Sequence, residues 1–199
     1  MITALLIIGA YLVGSIPWGY ALCRAVKKID IRNHGSGNIG ATNVYRVAGG
    51  PLAAAVLLLD IGKGLLPVIL AKSFSMAPPV IVSAGIASVA GHSFSIFLKG
   101  KGGKGVSTSF GVVIALFPAP ALLALLVWAV MITATHYVSA GAIAAALSMP
   151  FFIHLFHKDA FLTSTGIAIC ALIIYTHRGN IKRLLAKKEN RIKLPWEKK

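Results

Sequence analysis

Apolar residues run along this chain in long blocks, without the stripe or alternation of a soluble domain. The stretches 2–23, 51–71, 78–97, 138–156 and 160–176 each approach the roughly 20 residues an α-helix needs to cross about 30 Å of hydrocarbon. A further run, from Val106 to Thr135, is too long for one span, since a helix of that length would extend about 45 Å. It contains Pro118 and Pro120, which break a helix or open a turn. It therefore divides into a short span at 106–117 and another at 119–135. The pattern predicts an all-α, polytopic membrane helix bundle with seven transmembrane helices, forming a single integral membrane domain over 1–199.

Composition and charge sharpen this picture. The chain is 57% hydrophobic and 13% charged, too little polar surface for a soluble domain. A net charge of +15 would suggest nucleic acid as partner in a soluble protein. Here the charges lie between apolar blocks, so the expected partners are membrane lipid and anionic substrates, with no nucleic acid. Seven spans put 24–50, the loop 98–105 and the tail from Arg178 on one side. Arg24, Lys27, Lys28, Arg32, Arg46, Lys99, Lys101, Lys104 and the basic tail thus share that side, while the other keeps Lys72 and Lys158. Lysine and arginine favour the cytoplasmic face, which sets the N-terminus outside and the C-terminus in the cytoplasm. Six spans would put the basic tail on the wrong side. The first apolar run is followed, not preceded, by positive charge, which argues for an uncleaved span rather than a signal peptide. Residues 178–199 form a basic cytoplasmic tail, expected as an interfacial helix anchored with Trp196. Cys23 and Cys170 stand in apolar surroundings as free thiols.

Three polar segments share the basic side. In His34-Gly35-Ser36-Gly37-Asn38-Ile39-Gly40-Ala41-Thr42-Asn43-Val44-Tyr45-Arg46, Asn43 and Arg46 are close enough on a helical turn to serve one ligand. In Gly100-Lys101-Gly102-Gly103-Lys104-Gly105-Val106-Ser107-Thr108, glycines admit an anion to backbone N–H groups at a helix N-terminus, and Lys104 adds a full charge. The Walker A spacing is absent, so ATP is not implied. In Thr176-His177-Arg178-Gly179-Asn180-Ile181-Lys182-Arg183, the cations suit an interfacial anchor, whereas His177 and Asn180 fit either a local hydrogen bond or a ligand. Within the second span, Asp60 and Lys63 are three apart and can pair on one helix face; a structural pair and a supporting role in a site both remain open. His92 stands just before the glycine-rich loop. No cluster of metal-ligating residues is visible, and neither a metal nor a cofactor is expected.

These residues resemble a known family. The runs Gly35 to Arg46, Gly91 to Val106 and His177 to Leu184 look like the three signatures of the bacterial acyl-phosphate:glycerol-3-phosphate acyltransferases, in order and over essentially the whole chain. The resemblance implies transfer of a fatty acyl group from acyl phosphate to the 1-hydroxyl of glycerol 3-phosphate. The products are 1-acylglycerol 3-phosphate (lysophosphatidic acid) and phosphate, made at the inner face of the bacterial cytoplasmic membrane in phospholipid synthesis. His154 and Asp159 have the spacing of base and orienter in another class of glycerolipid acyltransferases. They fall on the outer side, away from every other polar motif, so the match is read as chance.

The chemistry of the residues agrees with that resemblance. Arg46 and Lys104 are assigned to phosphate binding, with the backbone N–H groups of Gly102, Gly103, Lys104 and Gly105 alongside. Ser36, Asn38, Thr42, Ser107, His177 and Asn180 orient the substrates by hydrogen bonds, and His92 joins the same site. Asp30 and Glu189 stand outside the signatures, so no carboxylate is expected as base. The proton from the attacking hydroxyl passes to a histidine (His177 or His92) or to a phosphate oxygen of the donor.

Overall fold

The regular structure in the computed structural model, which describes residues 1–192, is helical throughout. Trp196, expected in the anchor, lies outside the described residues. The chain forms two compact units, Met1–Leu116 and the part from Phe117 onward.

The first unit contains α1 (Ile2–Ser15), α2 (Trp18–Leu22), α3 (Ala41–Ala48), α4 (Gly50–Ser73), α5 (Pro78–Ser93) and α6 (Val106–Leu116). The first apolar run is not one helix. Ile16 leaves helical geometry at φ −59°, ψ 117°, as the residue before a proline tends to do. The chain resumes as α2 and a π-turn, Cys23–Lys27, bent by 41° from α1. The carbonyl of Ile16 takes a hydrogen bond from the Lys63 ammonium at 2.7 Å, so the break is satisfied inside the protein, as a break at membrane depth must be.

Close backbone approach holds the long helices of this unit together. A Cβ on Gly14 would strike the Ser88 carbonyl, and one on Gly91 the Tyr11 carbonyl, which seats α1 against α5. Likewise Gly64 faces the carbonyl of Thr108 and Gly111 that of Ile61, which seats α4 against α6. Lipid tails are as apolar as leucine, so helix association in a membrane rests on such contact rather than on a hydrophobic drive. Helix α6 is short, about 17 Å at 1.5 Å per residue, and Lys72 of α4 donates to its Ala115 carbonyl at 2.6 Å. That bond satisfies one of the carbonyls the last turn leaves open.

The second unit holds α7 (Pro118–Thr135), α8 (Val138–His157), α9 (Ala160–Thr176) and α10 (Arg178–Leu185). It begins at Phe117, where the helix breaks before Pro118 as the prolines predict. Asp159 caps α9 by accepting the Leu162 N–H at 2.8 Å, which gives Asp159 a structural use. Helix α10 bends 61° from α9 and ends at Leu185, earlier than the basic tail does.

Among the described residues, four helical segments are long and apolar enough to cross a membrane: Gly50–Ser73, Pro78–Leu98, Pro118–Thr135 and Val138–His157. The bent pairs Ile2–Ser15 with Trp18–Lys27 and Ala160–Thr176 with Arg178–Leu185 raise the total to six, and Val106–Leu116 is a shorter apolar helix.

Two nearby glycines on α4 that face different surroundings test this packing. A Cβ on Gly62 would have nothing within 4 Å, whereas one on Gly64 would meet backbone. Gly64→Ala should destabilise the protein by about 1–3 kcal/mol through overpacking. Gly62→Ala should be neutral or stabilising by up to about 1 kcal/mol. Thermal unfolding in detergent compares the two.

Candidate functional site

The first polar segment is organised by one buried amide. Asn43, the third residue of α3, accepts the Ser36 N–H on Oδ1 at 2.8 Å. Its Nδ2 donates to the carbonyls of His34 at 3.0 Å and Asn38 at 2.9 Å. The side chain reaches back from the helix to the preceding loop much as a capping-box residue does. Sequence spacing pointed Asn43 toward a ligand beside Arg46; the structure corrects this, because the loop itself fills its donors and acceptor. Gly35 and Gly37 carry φ of +60° and +70°, values that side chains other than glycine rarely adopt. Asn38 Oδ1 accepts the Gly40 N–H at 2.8 Å. Around this framework Ser36 is exposed, Asn38 and Thr42 are half-buried, and Arg46 is exposed on the next turn of α3.

The glycine-rich loop is docked on the end of α5. The Gly102 N–H donates to the Ser93 carbonyl at 3.1 Å and the Gly103 N–H to the His92 carbonyl at 3.0 Å. This corrects the expected anion cradle at those two residues, whose amides hold the loop down instead. A Cβ on Gly102 would meet the His92 carbonyl, and one on Gly103 the His92 ring at Nε2. Both glycines are thus explained by close packing rather than by access for an anion. Gly105, at φ +79°, turns the chain into α6. Lys104 and Ser107 are half-buried at that turn, while His92 is buried beneath it. His92 Nδ1 lies 3.6 Å from Asp60 Oδ1, so the histidine is linked to the second span.

The two loops share a floor. Cys23, Ile31, Ile39, Val44, Ala53, Val56 and Leu98 form one buried apolar cluster. Ile39 and Val44 belong to the first signature, and Leu98 belongs to the second. Burying them together fixes the bases of both loops within the first unit, the unit that also holds Ser36, Asn38, Thr42, Arg46, His92, Lys104 and Ser107.

In the second unit, His177 and Asn180 are buried at the junction of α9 and α10. His177 Nδ1 donates to the Ile173 carbonyl at 2.8 Å, which fixes the orientation of the ring. Asn180 Nδ2 donates to Glu189 Oε1 at 2.6 Å. The same carboxylate accepts from Ser139 at 3.0 Å and from Arg183 Nε at 2.7 Å. Arg191 Nε donates to the Tyr137 hydroxyl at 3.3 Å, and the Ile192 N–H to the His136 carbonyl at 2.8 Å. Glu189 therefore ties the segment after α10 to the start of α8. Sequence reasoning passed over it because it stands outside the signatures; a lone acid amid Arg183, Lys187, Lys188 and Arg191 was the available signal.

Neither Asp30 nor Glu189 is built as a base. Burial raises the Glu189 carboxyl, but the bonds from Asn180, Arg183 and Ser139 outweigh that and hold it below its ordinary value. Asp30 is lowered to about 2 by its hydrogen bonds with Arg32, with a closest approach of 2.6 Å.

Known proteins share this architecture. The glycerol-3-phosphate acyltransferase family model matches residues 4–187. A glycerol-3-phosphate acyltransferase of Geotalea daltonii is 44% identical over 185 residues, which cover 93% of this chain and 95% of that one. The crystal structure of PlsY (YgiH), an integral membrane glycerol 3-phosphate acyltransferase, in its glycerol 3-phosphate form superposes with a TM-score of 0.92 at 42% identity. It covers 97% of this chain and 96% of that one. Its lysophosphatidic acid form gives a TM-score of 0.90 at 41% identity, with the same coverage.

The Glu189 clasp makes a pH-dependent prediction. Its pKa is lowered on folding, so its stabilisation is present above the ordinary value of 4.5 and is lost as pH falls through the folded value. Glu189→Gln should lower stability by about 1–3 kcal/mol near neutral pH through loss of charge-assisted bonds. The difference in Tm from the unsubstituted protein should shrink below pH 4.5. A difference that is constant with pH would contradict the clasp.

Proposed function

The chain belongs to the glycerol-3-phosphate acyltransferase family, and we propose that its acyl donor is an acyl phosphate. The reaction is attack of the glycerol 3-phosphate 1-hydroxyl on the donor's carbonyl carbon, giving lysophosphatidic acid and inorganic phosphate. The observation that carries this reading is the common apolar floor beneath the two basic loops. Arg46 follows Val44 of that floor by two residues and Lys104 follows Leu98 by six, which supports a shared role for the two cations toward two phosphate-bearing substrates.

An acyl phosphate is a mixed anhydride that is already activated, so no covalent enzyme intermediate is required. The C–O bond to the incoming hydroxyl forms, the C–O bond to phosphate breaks, and the hydroxyl proton goes to a phosphate oxygen of the leaving group. Asp30 and Glu189, both lowered by hydrogen bonds, are unsuited to take that proton, which supports assistance by the substrate. Holding hydroxyl and carbonyl in attack geometry supplies up to about 7–11 kcal/mol in favourable systems. Arg46 and Lys104 bind phosphate and stabilise the leaving group. Ser36, Asn38, Thr42 and Ser107 orient substrate, aided by the loop that His92, Gly102, Gly103 and Gly105 shape. His177 and Asn180 have the same orienting role on the second unit. The donor's acyl tail lies among apolar helices.

The proposed topology has seven spans, counting the short α6, with the N-terminus outside and the C-terminus in the cytoplasm. The one-sided placement of basic residues supports it. The site then faces the cytoplasm from the bacterial inner membrane, where glycerol 3-phosphate is soluble and the product stays in the lipid.

Purified protein in lipid nanodiscs, given radiolabelled glycerol 3-phosphate, should form lysophosphatidate from palmitoyl phosphate with one phosphate released per product, and none from palmitoyl-CoA. Lys104→Ala should reduce kcat/KM by about 100-fold or more, the scale of a lost charge-assisted contact. Product from palmitoyl-CoA alone, or an unchanged Lys104→Ala enzyme, would overturn the reading.

A further inference from the structure

Three buried ionisable side chains of the first unit lie beneath the glycine-rich loop without belonging to it. Asp60 and Lys63 stand one turn apart on α4, with Nζ 2.9 Å from Oδ1 and both side chains 2% exposed. Removing an ion pair from water costs more than its own attraction returns unless further bonds are made, and hydrocarbon makes the cost higher. Lys63 has such a bond, to the Ile16 carbonyl. Neutral residues of similar size would fill this space at lower cost, so the carboxylate calls for a use beyond its lysine.

That use is visible on the other side of Asp60. Its Oδ1 is 3.6 Å from His92 Nδ1, and Nδ1 is buried with no hydrogen-bond partner. The separation is a few tenths of an ångström too long for a hydrogen bond and leaves the carboxylate directly against the ring. The far edge of the same ring, at Nε2, is where a Cβ on Gly103 would sit. The His92 carbonyl also holds the Gly103 N–H at 3.0 Å. The ring is therefore wedged between a buried carboxylate and the backbone of the residue just before Lys104.

We propose that Asp60 is a positioning residue for the transfer reaction, holding the His92 ring against Gly103 and so setting where Lys104 meets substrate phosphate. Asp60 touches no substrate. It acts through His92 and through the docked backbone at Gly102 and Gly103. Helix α4 would thereby fix the loop between α5 and α6 from below, while the amide bonds to Ser93 and His92 fix its ends. The proposal rests on the assignment of Lys104 to phosphate.

The rival account is that Asp60 only neutralises Lys63, and the charge-free double variant separates the two. Asp60→Asn, Lys63→Met and Asp60→Asn/Lys63→Met are compared in nanodiscs with palmitoyl phosphate and glycerol 3-phosphate each varied. The double variant leaves no orphaned charge to unfold the helix. It should still raise about tenfold the same KM that Lys104→Ala raises, an effect on the scale of one hydrogen bond, with a smaller change in kcat. A double variant with the KM values of the unsubstituted enzyme would overturn the proposal. A second readout needs no turnover: the ring nitrogens of 15N-labelled His92, assigned by loss in His92→Gln, and the Gly103 amide should both shift in the double variant. Unmoved resonances would overturn it too. If palmitoyl phosphate proves not to be the donor, the proposed reaction fails, and the resonances alone decide the positioning role.

Discussion

A lysine ammonium buried among membrane helices must find partners there, and Lys63 is the point at which the first unit is joined. Its Nζ pairs with Asp60 one turn earlier and reaches the Ile16 carbonyl at the break in the first helix. Its own carbonyl takes the Ser88 hydroxyl of α5 at 2.7 Å. The next residue, Gly64, admits the backbone of α6 at Thr108. One turn of α4 thus meets α1, α5 and α6. With so little tolerance for a backbone group or charge left unpaired in hydrocarbon, each of these helices is held in depth as well as in direction.

From that joint the structure leads toward chemistry. Pro17 breaks the first span, and α2 then packs on the first polar loop, with Gly19 against the Ile39 carbonyl. Asp60 leads through His92 to the glycine-rich loop. The loops carry the cations at the end of the helices, while the apolar cluster of Ile31, Ile39, Val44 and Leu98 sits under both. The proposed reaction, with its already activated donor, asks chiefly for positioning, which rigid loops supply. Asn43 supplies it in one loop, and the amides of Gly102 and Gly103 in the other.

Much of this was legible in the sequence, for physical reasons. Apolar blocks report membrane helices because length and hydropathy alone decide insertion. Pro118 marked the division between α6 and α7, since a proline after Phe117 cannot continue the preceding ladder. The polar segments stood out because nothing else in an apolar chain explains them. What the sequence concealed is direction. The bend at Pro17 was hidden inside an unbroken apolar run. The glycines at 102 and 103 read as an anion cradle, since the sequence cannot show whether an N–H faces a ligand or a neighbouring carbonyl. Asn43 and Glu189 organise loops through partners that only folding brings near, in the case of Glu189 and Ser139 from 50 residues away.

In the proposed site a few fixed cations, and not a diffuse positive face, recognise the anionic substrate. Binding of glycerol 3-phosphate followed by 31P NMR in nanodiscs tests it most directly. Lys104→Met should abolish the bound signal at concentrations that saturate the unsubstituted protein. Neutralising two exposed tail lysines, Lys187 and Lys188, to serine should leave the affinity unchanged. Equal weakening by the loop and tail variants, as a smeared surface potential would produce, contradicts the account.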